Sequence, residues 1–141
     1  MANDPIPPKL RAAVIKRARG LCEYCRSRSS HSPGPFVVDH IIPKVRGGKT
    51  TLGNLALACS GCNGRKHAKV NGTDPLTGKS ARLFHPRRQP WPDHFAWSGD
   101  DKLIIGLTAI GRATVEALQL NREELINLRA AFRILKLHPP E

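Results

Sequence analysis

Two Cys-x2-Cys pairs constrain this chain more than any other feature: Cys22-Glu23-Tyr24-Cys25 and Cys59-Ser60-Gly61-Cys62, separated by residues 26–58. A two-residue gap lets both sulfurs of a pair reach one ion at ~2.3 Å, so four thiolates in this arrangement read as a tetrahedral zinc site. Disulfides and a redox Cys-x-x-Cys are the alternatives. The first needs an oxidising compartment, and Met1-Ala2-Asn3-Asp4-Pro5 lacks the basic region and apolar core of a secretory signal. The second expects a βαβ pattern, which neither pair follows. The expectation is a structural Zn²⁺ on Cys22, Cys25, Cys59 and Cys62 in a soluble, cytoplasmic protein. No apolar run approaches the ~20 residues of a membrane span.

Charge narrows the function classes. The 141 residues carry 23 Lys+Arg against 11 Asp+Glu, a net +12. The excess is concentrated in residues 1–73, whose 13 basic and 3 acidic side chains far outweigh the 10 basic and 8 acidic of residues 74–141. Such a surface attracts polyanions and favours phosphate contacts, with plain solubility as the simpler explanation. Aromatics make up 5% and do not alternate with basic residues, so a stacking surface for single strands is poorly supported.

The segment between the cysteine pairs carries the chemistry. Phe36-Val37-Val38-Asp39-His40-Ile41-Ile42-Pro43 is a β-rich run with an acid–imidazole dipeptide inside it, followed by a basic, glycine-containing loop at residues 44–51. Leu55-Ala56-Leu57-Ala58 is a second apolar run, and Ser60 onward reads as a short helix to Val70, capped by Asn71-Gly72. On that helix Asn63 and His67 are i and i+4 and share a face bordered by Lys66. Packed across the hairpin, the helix would let Asp39, Asn63 and His67 converge on one cation. Carboxylate and amide oxygens suit Mg²⁺ or Mn²⁺, and an imidazole widens tolerance towards Ni²⁺, Co²⁺ or Zn²⁺. In a regular strand His40 points away from the face of Asp39, so a bulge or twist is required to bring both to one site. Singly, each residue has a plain structural explanation: an edge carboxylate, a packed strand histidine, an Asx turn at Asn54, a helix cap at Asn63, a solvated His67.

Taken together these residues resemble the HNH endonuclease family, whose core is a ββα-metal finger. The resemblance runs through Cys-x2-Cys, Asp39-His40 with Ile-Ile-Pro following, Gly47-Gly48, Asn54-Leu55 and Cys59-x2-Cys62-Asn63-x2-Lys66, over about residues 20–70. It implies metal-dependent hydrolysis of DNA, double-stranded in the first instance, by nicking with low sequence specificity and leaving a 5′-phosphate and a 3′-hydroxyl. His40 would be the general base, and Asp39 and Asn63 would bind the ion with His67 as a third ligand. Asn54 would orient His40 or brace the loop, and Lys66 would touch the phosphate or stay structural. Asn63 stands where many relatives carry the motif's last histidine. Lys44, Arg46, Lys49, Arg65 and Lys69 would contact flanking phosphates. The rival readings are a non-catalytic zinc-containing module that binds nucleic acid, a ribonuclease, or a nuclease subunit that needs a partner. The tail from Leu83 to Trp97 resembles a subgroup of small bacterial HNH proteins.

The remainder is read from local signals. Pro7-Pro8 opens a basic helix to Arg19, with Leu10, Ala13, Val14 and Ala18 on its packing face and Arg11, Lys16, Arg17 and Arg19 facing solvent or nucleic acid. Residues 71–92 read as a wrapping loop. His94–Trp97 and Leu103–Leu107 flank Ser98-Gly99-Asp100-Asp101 as a hairpin. A helix is expected at 109–118 and another from a capping box at Asn121-Arg122-Glu123-Glu124 to about Lys136. Leu125, Leu128, Phe132 and Leu135 form the buried stripe of that last helix, with Arg122, Arg129, Arg133 and Lys136 beside it. The expected architecture is α+β: an HNH core with its N-terminal helix over residues 1–73, and a C-terminal extension of loop, hairpin and two helices over 74–141, packed as one domain.

Overall fold

The computed structural model describes residues 6–140; residues 1–5, read above for a signal segment, and residue 141 lie outside it. The fold is α+β, as the sequence predicts. Among the described residues it has five α-helices and three two-stranded antiparallel sheets.

Helix α1 (Pro8–Ala18) starts with Pro at its first turn and stops where Arg19 turns left-handed (φ 55°) ahead of Gly20. Val14 and Ala18 are buried against strand β2 (Leu55–Ala58), all four of whose residues are buried. Of the arginines read as facing solvent or nucleic acid, Arg11 is partly buried and Arg17 exposed, and both bond to the backbone of the finger. Arg11 donates to the Phe36 carbonyl at 2.9 Å, and Arg17 to those of Leu52 and Leu55 at 2.9 and 2.7 Å. Strand β1 (Val37–His40) pairs with β2 in an unbroken register, with Asp39 opposite Ala56 and His40 opposite Leu55. Helix α2 (Ser60–Lys66) follows β2 directly, so the hairpin and helix form one ββα unit.

That helix is shorter than its sequence suggests. It ends at Lys66, because His67 takes a left-handed φ of 47°, and Asn71 and Gly72 lie in strand β3 (Asn71–Thr73) rather than in a cap. The 71–92 segment holds more structure than a loop. β3 pairs with β4 (Ser80–Arg82), and a helical turn, α3 (Trp91–His94), follows. The sequence gives little warning of this hairpin, because its strands are three residues long and carry no run of apolar residues. What anchors its turn is Asp74, whose carboxylate accepts from Arg112 Nε at 2.9 Å, the Leu76 amide and the Thr77 hydroxyl. The Arg112 guanidinium holds the Asp74 carboxyl well below the usual carboxylate range.

Strands β5 (Phe95–Trp97) and β6 (Ile104–Gly106) form the expected hairpin, and α4 (Ala109–Leu118) begins behind Thr108, whose hydroxyl caps the Gly111 amide at 3.0 Å. Helix α5 (Glu123–Ile134) departs from expectation at both ends. Its N-cap is Arg122, not Asn121, because the Asn121 side chain is committed to both backbone groups of Ile104 (2.7 and 2.9 Å). Its last turn stops before Leu135, which is 63% exposed. In the basic stripe of this helix, Arg129 is buried and satisfies the carbonyls of Lys102 and Leu120 and the Asn121 amide oxygen at 2.7–3.1 Å. Burial pushes its pKa down to about 10, which still leaves it charged at neutral pH. One cluster of buried residues runs from Val14 and Tyr24 through Leu55 and Cys62 to Phe84, Trp91, Ile104 and Leu118. The finger and the extension therefore share a core.

Replacing Arg129 with Met keeps its length but removes the donor to the Lys102 and Leu120 carbonyls and leaves Asn121 Oδ1 with the Ile104 amide alone. The variant is expected to lose about 2–4 kcal/mol of stability, read as an earlier midpoint in urea denaturation with zinc present.

Candidate active site and metal centre

The four sulfurs converge. All four cysteines are free thiols, and their Sγ atoms lie within 4.8 Å of one another, with Cys25 and Cys59 at 3.7 Å. A tetrahedron of ~2.3 Å metal–sulfur bonds has edges of ~3.8 Å, so this spacing fits a zinc knuckle pair and leaves no disulfide. Local backbone supports the arrangement: the Cys25 amide points at Cys22 Sγ and the Cys62 amide at Cys59 Sγ, both at 3.4 Å. Among the described residues no other group of three His, Cys, Asp or Glu side chains gathers in this way.

Sequence reasoning missed one partner of the cluster. Arg122, ahead of α5, lays its guanidinium over it, with Nη2 3.5 Å from Cys59 Sγ and Nη1 3.6 Å from Cys62 Sγ, while Nε pairs with Glu124 at 3.2 Å. Gly61 makes the space: a Cβ there would sit 2.6 Å from Nη2. Burial would lower the Arg122 pKa, but the sulfurs of Cys62, Cys25 and Cys59 outweigh it and raise the pKa above its ordinary value. Four thiolates around Zn²⁺ carry a net charge of about −2, which a fixed guanidinium partly offsets.

Asp39 and His40 leave β1 on opposite faces, because the register has no bulge. The Asp39 side is interior. Its carboxylate is 5% exposed, accepts from the Tyr24 hydroxyl at 2.8 Å, and pairs with Lys66 Nζ at 3.1 Å. Burial pushes the Asp39 carboxyl up from its usual range, and the Lys66 ammonium and Tyr24 hydroxyl oppose that shift. Burial and the Asp39 charge push the Tyr24 phenol well up, which keeps it a donor. The buried Lys66 ammonium also donates to the His40 carbonyl at 3.2 Å, tying the two faces of the strand together. His40 itself is partly exposed, with Nε2 2.8 Å from the Thr50 hydroxyl. Neither Tyr24 nor Thr50 stands out in the sequence, although Tyr24 sits inside the first cysteine pair.

Asn54 clamps the loop after β1. Its Oδ1 accepts the Ile42 amide at 2.8 Å, and its Nδ2 donates to the carbonyls of Ile42 and Lys49 at 3.0 and 2.9 Å. Gly48 is required there, since a Cβ would meet the Ile42 carbonyl oxygen at 1.7 Å. Asn63 is partly exposed on α2. His67 is exposed beyond the end of α2, so the i, i+4 geometry does not carry to it. Lys44, Arg46, Lys49, Arg65 and Lys69 are all exposed; Arg46 Nε is held by the Ala68 carbonyl at 2.7 Å.

Residues 22–69 match the family model described as HNH endonuclease, a span that contains the four cysteines, Asp39, His40, Asn54, Asn63 and Lys66. No curated protein matches the chain. Among the described residues, no helix is long and apolar enough to cross a membrane.

If the cluster holds zinc, purified protein should contain about one zinc per chain by elemental analysis, and Cys62→Ser should contain far less. Stripping the metal with a strong chelator should abolish the cooperative thermal transition, because the metal–sulfur bonds that tie the two knuckles together are then lost. A chain that stays folded and metal-free would sink this assignment.

Proposed function

From a chain whose residues 22–69 form an HNH endonuclease match, we propose a metal-dependent endonuclease that hydrolyses DNA phosphodiester bonds, nicking double-stranded substrate with little sequence preference. The observation that carries this reading is His40, partly exposed on the outer face of β1 and held at Nε2 by Thr50. When the Nε2 proton is donated to the Thr50 hydroxyl, the basic lone pair resides on Nδ1, the form a general base needs to take a proton from water.

Asp39 and Asn63 are the proposed ligands of a divalent ion, Mg²⁺ or Mn²⁺ on the strength of their hard oxygen donors, with Ni²⁺ as a tolerated substitute. A carboxylate offers about four lone-pair positions. Tyr24 and Lys66 engage Asp39 on three, through contacts to Oδ2 at 2.8 and 3.1 Å and to Oδ1 at 3.3 Å, which leaves one on Oδ1. Bound there, the ion would neutralise charge developing on the phosphate and its leaving oxygen once a twist of β1 brings the Asp39 face to the phosphate that His40 serves. Lys66 acts in this reading as a positioning residue, fixing the Asp39 carboxylate and the His40 backbone together. Asn54 braces the loop that carries Lys44, Arg46 and Lys49 to the flanking phosphates. These contacts are to backbone rather than base edges, which is why little sequence preference is expected.

One observation favours a second reading. An ammonium already occupies much of Asp39, as befits a scaffold, so a non-catalytic zinc module that binds nucleic acid is the rival. A nuclease that works only with a partner would share its outcome for the isolated chain.

Conversion of supercoiled plasmid to nicked and linear forms distinguishes them, run in EDTA, Mg²⁺, Mn²⁺ and Ni²⁺ with an RNA substrate in parallel. The expected result is metal-dependent nicking that His40→Ala slows by about 10²-fold or more. DNA binding without cleavage in any metal would overturn the enzyme reading for the isolated chain.

A further inference from the structure

A cavity of about 390 Å³ opens where Ile41 and Ile42, the two residues after His40, meet the β3–β4 hairpin and the loop that follows it. Both halves of the chain build it: Arg46, Lys66 and Lys69 come from the HNH segment, and Arg82, His85 and Arg88 from the extension. Among the described residues no carboxylate lines it. Lys66 is neutralised by Asp39. The other four cations have no acidic partner among the described residues. Arg46 and Lys69 each give one N–H to a backbone carbonyl, whereas the exposed guanidiniums of Arg82 and Arg88 donate to no described group. Four uncompensated positive charges around one volume raise its potential and make an anion the favourable occupant.

The rest of the lining says what kind of anion. The volume is within the range of small-ligand pockets, far more than a bare phosphate fills. Ile41, Val70, Leu83 and Phe84 give it an apolar side, which suits a sugar and the flank of a base. Polar groups remain for edges. Gln89 accepts the His85 amide on Oε1, which leaves its amino group as a donor. His85 accepts the Arg87 amide on Nδ1 at 3.2 Å, which places its ring proton on Nε2.

We propose that this cavity is a nucleotide subsite, in which Arg82 and Arg88 hold the phosphate of a single nucleotide, terminal or turned out of its duplex. The identity of the ligand rests on the reading of the chain as acting on nucleic acid; the anion-binding character of the cavity does not. The subsite assigns the extension a share in substrate contact, which no residue of 74–141 otherwise has.

The test is calorimetric titration of the full, zinc-loaded chain with thymidine 5′-monophosphate, inorganic phosphate and thymidine, without added Mg²⁺. The monophosphate should bind at least about tenfold more tightly than either fragment, a difference the assay resolves. It should also shift the side-chain amide signal of Gln89 in ¹H–¹⁵N spectra. Arg82→Ala with Arg88→Ala should weaken it about tenfold or more, Arg82→Lys with Arg88→Lys should recover part of the loss, and Lys79→Ala on the same hairpin should change nothing. Both arginines are exposed and unbonded, so an unchanged circular dichroism spectrum is expected of these variants. Monophosphate bound no better than phosphate, or bound equally by the double alanine variant, overturns the subsite. Binding here with no plasmid nicking would defeat the nuclease reading alone, and nicking without monophosphate binding would defeat the subsite alone.

Discussion

Convergence of four sulfurs on one point is the constraint from which the rest of this molecule is organised. The second cysteine pair sits at the junction of β2 and α2, with Cys59 as the cap of the helix, so the ion that the pair is built to hold fixes the angle at which helix leaves strand. The first pair carries Tyr24 between its cysteines. That places the phenol against Asp39, while α2 delivers Lys66 to the same carboxylate from the other direction. Both groups that hold Asp39 thus ride on elements positioned by the thiolates. The metal centre and the acid–imidazole pair form one mechanical unit, and damage to the first is transmitted to the second through Tyr24 and Lys66.

The net charge of the chain overstates what faces a polyanion. Several arginines are turned inward. Arg129 binds backbone carbonyls, Arg112 holds Asp74, Arg87 pairs with Glu23, and Arg122 covers the sulfurs. Guanidinium suits these places, because its planar fork satisfies several acceptors at once and tolerates partial burial better than an ammonium. What remains outward includes Lys44, Arg46 and Lys49 of the loop, Arg65 and Lys69, and Arg82 and Arg88 at the cavity, with Lys9, Lys16, Arg17 and Arg19 at the N-terminal helix and Lys79, Arg133 and Lys136 elsewhere. Electrostatic steering towards nucleic acid follows the position of that set rather than the total.

The ββα unit was legible because its signals are local and redundant. Cysteine spacing, a β-rich run, a glycine-containing loop and a cysteine-capped helix start all point to one arrangement. The hairpin at residues 94–107 and helix α4 were legible for the same reason, each having a turn or cap residue in sequence. What was hidden depends on distant partners. Asn121 looks like a cap but is drawn away by the backbone of Ile104, and Arg129 looks solvated until the β5–β6 turn brings the Lys102 carbonyl to it. The β3–β4 hairpin is held by Asp74 and Arg112, far apart in sequence, and has no apolar pattern of its own. At the candidate site the identities of Asp39 and His40 stood out, but the orientation of their side chains was set by Tyr24, Thr50 and Lys66, which carry no signature alone.

Arg122 has a consequence for the order of events on the ribosome. Cys62 emerges sixty residues before the guanidinium that will cover it. A nascent chain can therefore fill its knuckles with metal before Arg122 is made, and the guanidinium then lies over Cys59 and Cys62. In the finished protein the guanidinium stands over Cys59 and Cys62, so on that side an ion would have to displace a side chain that supplies no ligand. A single residue of the C-terminal part thus bears on a site whose four ligands all lie in the first half of the chain.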